Sequence, residues 1–100
     1  MAGKVCKVYL VRPREAWYQL SREEQDALFA KVGDALASVG GKPIVRCESY
    51  WGSEQWPYFG VEEFPDVEAV QELARLHDEL NWGRYIDAFT ILGTPIAGPA

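Results

Sequence analysis

The chain is predicted to fold as an α+β domain with its elements in the order β-α-β-β-α-β. Two observations carry this. Four segments alternate apolar and polar residues with a period of two, the spacing of a strand with two unlike faces. Two longer segments repeat apolar residues at helical spacing, which builds one apolar stripe per helix. At 100 residues the chain is sized for a single domain over residues 1–100. Its 48% hydrophobic content suits a packed core and not a disordered chain.

The first strand is KVCKVYLVR, residues 4–12, ended by Pro13. Cys6, Val8 and Leu10 share one of its faces; Val5, Lys7, Tyr9 and Val11 share the other. PREAWYQL then reads as a connection holding Trp17 and Tyr18. Ser21 with Glu24 forms an S-x-x-E capping box, so a helix should run from about Arg22 to Val39. Leu28, Phe29, Val32, Leu36 and Val39 make its apolar stripe. Gly40-Gly41 stops it, because a left-handed closing residue costs glycine least.

PIVRCESYW, residues 43–51, alternates again, and WPYFGVEEF, residues 56–64, follows a turn at Gly52-Ser53-Glu54-Gln55. The two strands should form a hairpin. Their apolar faces coincide if a three-residue loop at Ser53–Gln55 pairs Tyr50 with Tyr58 and Arg46 with Glu62. Pro65-Asp66 opens the second helix, with Asp66 as N-cap. Ala69, Val70, Leu73, Leu76, His77 and Leu80 form its stripe, and the run Asn81 to Gly83 ends it. DAFTILGTPI, residues 87–96, is the last strand, limited by Pro95; the tail AGPA is expected to be mobile.

This is the split βαβ, or ferredoxin-like, arrangement: a four-stranded antiparallel sheet with two helices on one face. By hydropathy, Cys6, Val8, Leu10, Val45, Cys47, Phe59, Val61, Phe89 and Ile91 are expected beneath the helices. The opposite face then carries Lys7, Tyr9, Arg46, Glu48, Tyr50, Tyr58, Glu62 and Phe64. That much ring surface predicts a partner, and for a small domain a second copy related by two-fold symmetry. Tyr9, Arg46, Glu48, Tyr50 and Glu62 are therefore expected on a dimer face. Its charges would form an ion-pair network or orient a polar substrate.

The β-α-β-β-α-β order over about 100 residues, with an aromatic second sheet face, resembles the dimeric α+β barrel superfamily. The resemblance is one of architecture over nearly the whole chain, without a defining motif. It implies sheet-to-sheet pairing and a small ligand held between sheet and helices. Members include antibiotic-biosynthesis monooxygenases that work without cofactor, haem-degrading monooxygenases, muconolactone isomerases, aldoxime dehydratases and many proteins without an assigned role. In the haem-degrading members a histidine on the second helix binds iron, with a strand-one asparagine and a tryptophan. His77 and Trp56 match that pattern, whereas KVCKVYLVR contains no asparagine.

His77 is the single histidine and lies on the apolar stripe of the second helix, pointing at the sheet. It reads as a general base or haem ligand, or as a core histidine bonded to a nearby hydroxyl or carbonyl. Trp51, Trp56, Tyr58 and Tyr85 fall near strand ends, where rings line a pocket mouth or anchor loops and a dimer contact. Trp17 and Trp82 read as packing residues. The leading expectation is a small-molecule-binding homodimer, acting on an aromatic metabolite as an oxygenase or isomerase with no cofactor. A non-enzymatic ligand sensor or assembly module is the alternative, favoured if the core beside His77 is filled. Haem binding is the third.

The remaining features exclude other classes. A formal net charge of −5 with no basic run argues against nucleic acid. No apolar run approaches a membrane span, and the N-terminus lacks the features of a signal peptide. Cys6 and Cys47 sit in separate strands without metal-ligand spacing, and read as reduced thiols of a cytoplasmic protein. No phosphate-binding glycine loop, G-x-S-x-G or H-E-x-x-H occurs.

Overall fold

The computed structural model describes residues 3–98; the tail expectation for Pro99 and Ala100 lies outside them. Four strands, β1 (Val5–Pro13), β2 (Lys42–Glu48), β3 (Tyr58–Phe64) and β4 (Ile86–Gly93), form one sheet in the order β2-β3-β1-β4. Every neighbouring pair is antiparallel. The helices are a single turn, α1 (Glu15–Tyr18), then α2 (Arg22–Ser38) and α3 (Val67–Glu79), with a 3-10 turn at Trp82–Arg84. The ferredoxin-like α+β fold expected from the sequence is the fold observed.

Both long helices begin where their caps direct. Ser21 Oγ accepts the Glu24 N–H at 3.1 Å, and Glu24 Oε1 accepts the Ser21 N–H at 2.8 Å, closing the capping box reciprocally. Asp66 Oδ1 accepts the Ala69 N–H at 2.8 Å. After α2 the chain reverses at Gly40, whose φ of 78° is left-handed. After α3 it reverses at Asn81, φ 56°, one of the few side chains that tolerate this region.

The core lies at one end of the sheet. Val5 and Phe64 are paired across β1 and β3, and Ala35, Leu36, Ala69 and Leu73 cover them from α2 and α3. Phe64 and Leu73 are each only 1% exposed. Val39, Val70, Leu76 and Leu80 complete the packing. Small alanines at the contact allow the two helices to come close to the sheet at this end.

This arrangement reverses the expected faces. Val5 and Phe64 share their side of the sheet with Lys7, Tyr9 and Glu62 by the β1–β3 register, and with Arg46, which faces Gly60. That polar set is the one beneath the helices. Cys6, Val8, Leu10, Cys47, Phe59, Val61, Phe89 and Ile91 lie on the open face, where Val45 (45% exposed), Phe89 (54%) and Ile91 (56%) stand out. Alternation determines which residues share a face but not which face the helices take. The packed Val5–Phe64 pair and the four helical residues that cover it at one end outweigh the longer apolar row on the other side.

The hairpin register also differs from expectation. Tyr58 pairs with Glu48, and Glu62 with Pro43, with a bulge between Pro43 and Val45. Tyr50 is not in a strand. The chain leaves β2 at Ser49, which is buried and locked there: its N–H donates to Pro57 O at 2.7 Å and its Oγ donates to Trp56 O at 2.6 Å. Ser53 Oγ accepts the N–H of Trp56 at 3.0 Å. Two serine side chains thus organise a turn longer than the three residues expected.

Candidate functional site

The helix-facing side of β1 changes character along its length. Val5 belongs to the core, and the next two residues on that side, Lys7 and Tyr9, carry polar heads. His77 lies one helical turn beyond Leu73 on the stripe of α3. It therefore descends over the sheet just past the core, close enough for the Lys7 charge to act on it. From β3 comes Glu62, directly opposite Lys7, and from β2 comes Arg46. Five polar side chains on four elements thus lie on the helix-facing side of the sheet, Lys7, Tyr9, Glu62 and His77 partly buried and Arg46 exposed.

Gly60 is what lets Tyr9 join them. Tyr9 folds its ring across Gly60, its partner on β3. A Cβ at that position would fall 2.8 Å from Tyr9 Cε2 and closer still to the hydroxyl. The phenol so placed feels the charges of both Glu62 and Arg46. Arg46 stacks over Phe29 of α2, its guanidinium carbon 4.8 Å from the ring centroid. The Lys7 ammonium stands 6.0 Å from the Phe64 ring centroid.

The electrostatics are those of a poorly hydrated spot. Burial, followed by the Lys7 charge, lowers the His77 pKa to about 4. Burial raises the Glu62 carboxyl above the ordinary carboxylate range, against the opposing pull of Lys7. Burial and the Glu62 charge raise the Tyr9 phenol. All three groups are pushed towards their neutral forms, the signature of desolvation.

Lys7 Nζ and Glu62 Oε1 pair at 3.7 Å, with side chains 15% and 16% exposed. That separation is an ion pair but too long for a hydrogen bond, and Glu62 Oε1 is buried with no hydrogen-bond partner. Among the described residues, none of the five polar heads is hydrogen-bonded to another. The expected cross-strand pair of Arg46 with Glu62 is replaced by this pair of Lys7 with Glu62.

The other expected site residues disperse. Trp56 is on the open face, not beside His77: its ring lies 6.4 Å from that of Phe89, and Arg12 stacks on it at 5.3 Å. Trp51 is 80% exposed at the turn and touches neither cluster, and Tyr50 beside it is 67% exposed. Tyr58 and Glu48 pair at the far end of the helix-facing side, both exposed. Tyr85 is half-buried after the 3-10 turn, where its carbonyl accepts the Arg14 N–H at 2.8 Å. Trp17 and Trp82 pack edge to face, with centroids 5.9 Å apart. Tyr9, Arg46, Glu48 and Glu62, expected on an outer dimer face, lie instead on the side of the sheet that carries the helices, with Arg46 and Glu48 exposed there. Lys7 was not singled out, although its place two residues from Val5 on the same face was readable.

Two grooves open elsewhere. One of about 290 Å3 runs between α2 and α3 past Asp34, Ala35, Leu76 and Leu80; one of about 100 Å3 lies by Lys4, Gly40 and Pro65. Neither is lined by His77. The inner face is nevertheless uncovered beside the cluster: Leu92, opposite Lys7, is 49% exposed, and Thr90, opposite Tyr9, is exposed too. The neighbours of Lys7 and Tyr9 on β4 are thus open, and so is Arg46 on the outer strand β2. Among the described residues, no group of three or more His, Cys, Asp or Glu side chains is placed to hold a metal ion, and no helix is long and apolar enough to cross a membrane.

No family model matches the chain, and no curated protein matches it. Solved structures do. A protein of unknown function from Rhodopseudomonas palustris aligns over 98% of this chain and 86% of its own, with 20% identity and a TM-score of 0.69. A haem-binding protein from Thermus thermophilus aligns over 93% of this chain and 40% of its own, with 19% identity and a TM-score of 0.71. Chlorite dismutase from Candidatus Nitrospira defluvii aligns over 97% of this chain and 42% of its own, with 11% identity and a TM-score of 0.75. The chain thus spans less than half the length of the last two. The three are a protein of unknown function, a haem-binding protein and a chlorite dismutase, so the expected likeness to antibiotic-biosynthesis monooxygenases is not shown by them. At these identities what is shared is the fold, a ferredoxin-like α+β sheet with helices on one face.

Proposed function

We propose that the chain binds a small molecule at the Lys7–Tyr9–Arg46–Glu62–His77 cluster and works as a homodimer closed through the open face of its sheet. One observation carries the first part: five polar heads share the helix-facing side with no hydrogen bond between them, Lys7 and Glu62 meet only as an ion pair at 3.7 Å, and Glu62 Oε1 is buried without a hydrogen-bond partner. A polar cluster that serves only the fold satisfies itself. Support for the second part is the row of exposed apolar side chains on the other face. The free thiols of Cys6 and Cys47 fit a place of action in the reducing cytoplasm.

A neutral imidazole is the form that accepts a proton. Proton abstraction from an aromatic metabolite, as in an isomerase or an oxygenase without cofactor, requires that a bound ligand raise the pKa of this imidazole, which at about 4 is a weak base near neutral pH. Binding without turnover is the second reading, and it is favoured by the grooves, neither of which reaches His77. Haem does not fit. The imidazole that would take the iron has the Lys7 ammonium acting on it, and neither groove is lined by His77.

The test is ligand-observed NMR with small aromatic metabolites on the wild type and on His77→Ala. Binding is expected to weaken at least tenfold in the variant. Equal binding by both, with only a lower melting midpoint for the variant, would leave His77 a structural residue.

A further inference from the structure

Resting on the reading that the polar cluster is a binding site, we infer the class of its ligand: a small hydroxy acid with one carboxylate and one hydroxyl. The hydroxyl donates to Glu62 Oε1, and the carboxylate lies against the Arg46 guanidinium. The first half follows from the orphaned acceptor. Glu62 Oε1 is buried and unpartnered, and its ion pair with Lys7 at 3.7 Å leaves it without a donor. Burying an acceptor this way is costly unless a donor arrives. A carboxylate in the ligand would meet it with repulsion, whereas a hydroxyl supplies the missing bond.

The second half follows from charge. The cluster holds two cations, Lys7 and Arg46, and one carboxylate, Glu62; His77 and Tyr9 are neutral at physiological pH. One unit of positive charge therefore remains. It resides on Arg46, because Lys7 is paired with Glu62 and Arg46 makes no ion pair among the described residues. Its guanidinium carbon lies 4.8 Å from the Phe29 ring centroid, and among the described residues its donors make no hydrogen bond, which leaves them open to take a carboxylate by two parallel bonds. A monoanion neutralises the site, a neutral ligand leaves it charged, and a cation is repelled.

The two groups are also spaced apart. Arg46 faces Gly60, and Glu62 is the next residue on that face of β3, so their Cβ atoms stand in the diagonal relation of roughly 7–8 Å between neighbouring strands. Both side chains extend beyond their Cβ atoms, so a ligand whose hydroxyl and carboxylate are held apart, as on one aromatic ring, can reach both heads. Tyr9, laid across Gly60, lies between the two strands' heads, and the exposed Arg46 on the outer strand β2 marks the side open to the ligand's carboxylate.

The experiment is amide chemical-shift titration of the full chain with four probes: 4-hydroxybenzoate, benzoate, phenol and tyramine. We expect 4-hydroxybenzoate to shift the amides of residues 7, 9, 46, 62 and 77 and to bind about tenfold tighter than benzoate or phenol. Glu62→Gln should shrink the preference for 4-hydroxybenzoate over benzoate. Arg46→Gln should weaken both carboxylates and spare phenol, a second variant that stands if the first does not fold. Benzoate binding as well as 4-hydroxybenzoate, or tyramine binding more tightly, overturns the ligand class while the binding site stands. Shifts from none of the four at those residues overturn both.

Discussion

The His77 imidazole makes the stability of the fold depend on pH in a direction the structure sets. In the unfolded chain its pKa is 6.5, and in the fold it is about 4. The unfolded chain therefore takes up the proton first. The fold keeps its full stability above the unfolded value and loses it as pH falls through the window between the two. The whole gap corresponds to about 3.4 kcal/mol. The ring is only half-buried, so solvent screens a large part, and the expected loss is about 1–2 kcal/mol between pH of about 7.5 and about 4.5. Glu62 acts in the opposite sense, because its folded pKa is raised and the fold binds that proton first. The comparison must therefore be made against His77→Gln, which keeps Glu62 and Lys7 and removes only the titrating ring. Urea unfolding of both proteins across this range is the assay. The wild type should lose about 1–2 kcal/mol relative to the variant as the pH drops. A difference that stays flat, or an imidazole proton resonance with its midpoint at or above 6.5, would refute the reasoning.

Three further outcomes follow from the packing. Leu73→Ala empties a site that is 1% exposed and should cost about 3 kcal/mol in chemical denaturation. Gly60→Ala drives a Cβ into the Tyr9 ring and should cost about 1–3 kcal/mol. In a Tyr9→Ala background the same change should be close to neutral, a coupling read directly from a double-mutant cycle. If the open face closes a dimer, Ile91→Glu should turn it into a species near the chain mass of 11.3 kDa by light scattering, with the far-ultraviolet spectrum unchanged.

The order of elements was legible because it rests on local signals. The capping box at Ser21 and Glu24, the Asp66 cap and the glycine at position 40 mark helix ends by short-range chemistry alone. The stripe of α3 was legible for the same reason, and with it the inward aim of His77. What was not legible was the sign of the sheet. Cys6, Val8 and Leu10 are more apolar than Lys7 and Tyr9, so hydropathy sends them beneath the helices. Their fate was decided by Val5 and Phe64, which occur once each and act through contacts distant in sequence. The polar set was thus recognised as unusual but placed on the outside. Trp56 was misplaced with it, because its stacking on Arg12 and Phe89 depends on the serine-held turn that shifts the register.

The bulge in β2 bears on how far such molecules can associate. β2 is an outer strand of the sheet, and its outward edge offers the ladder of unpaired groups on which another chain adds. Pro43 removes one donor from that ladder, and the irregularity between Pro43 and Val45 breaks its rhythm, with Lys42 adding a charge beside them. An incoming strand finds no continuous template there. The opposite border, β4, is regular over its pairing with β1 from Ile86 to Gly93. A sheet with one blunted border and one regular border favours a neighbour on the regular side, which works against strand-to-strand growth into a fibre.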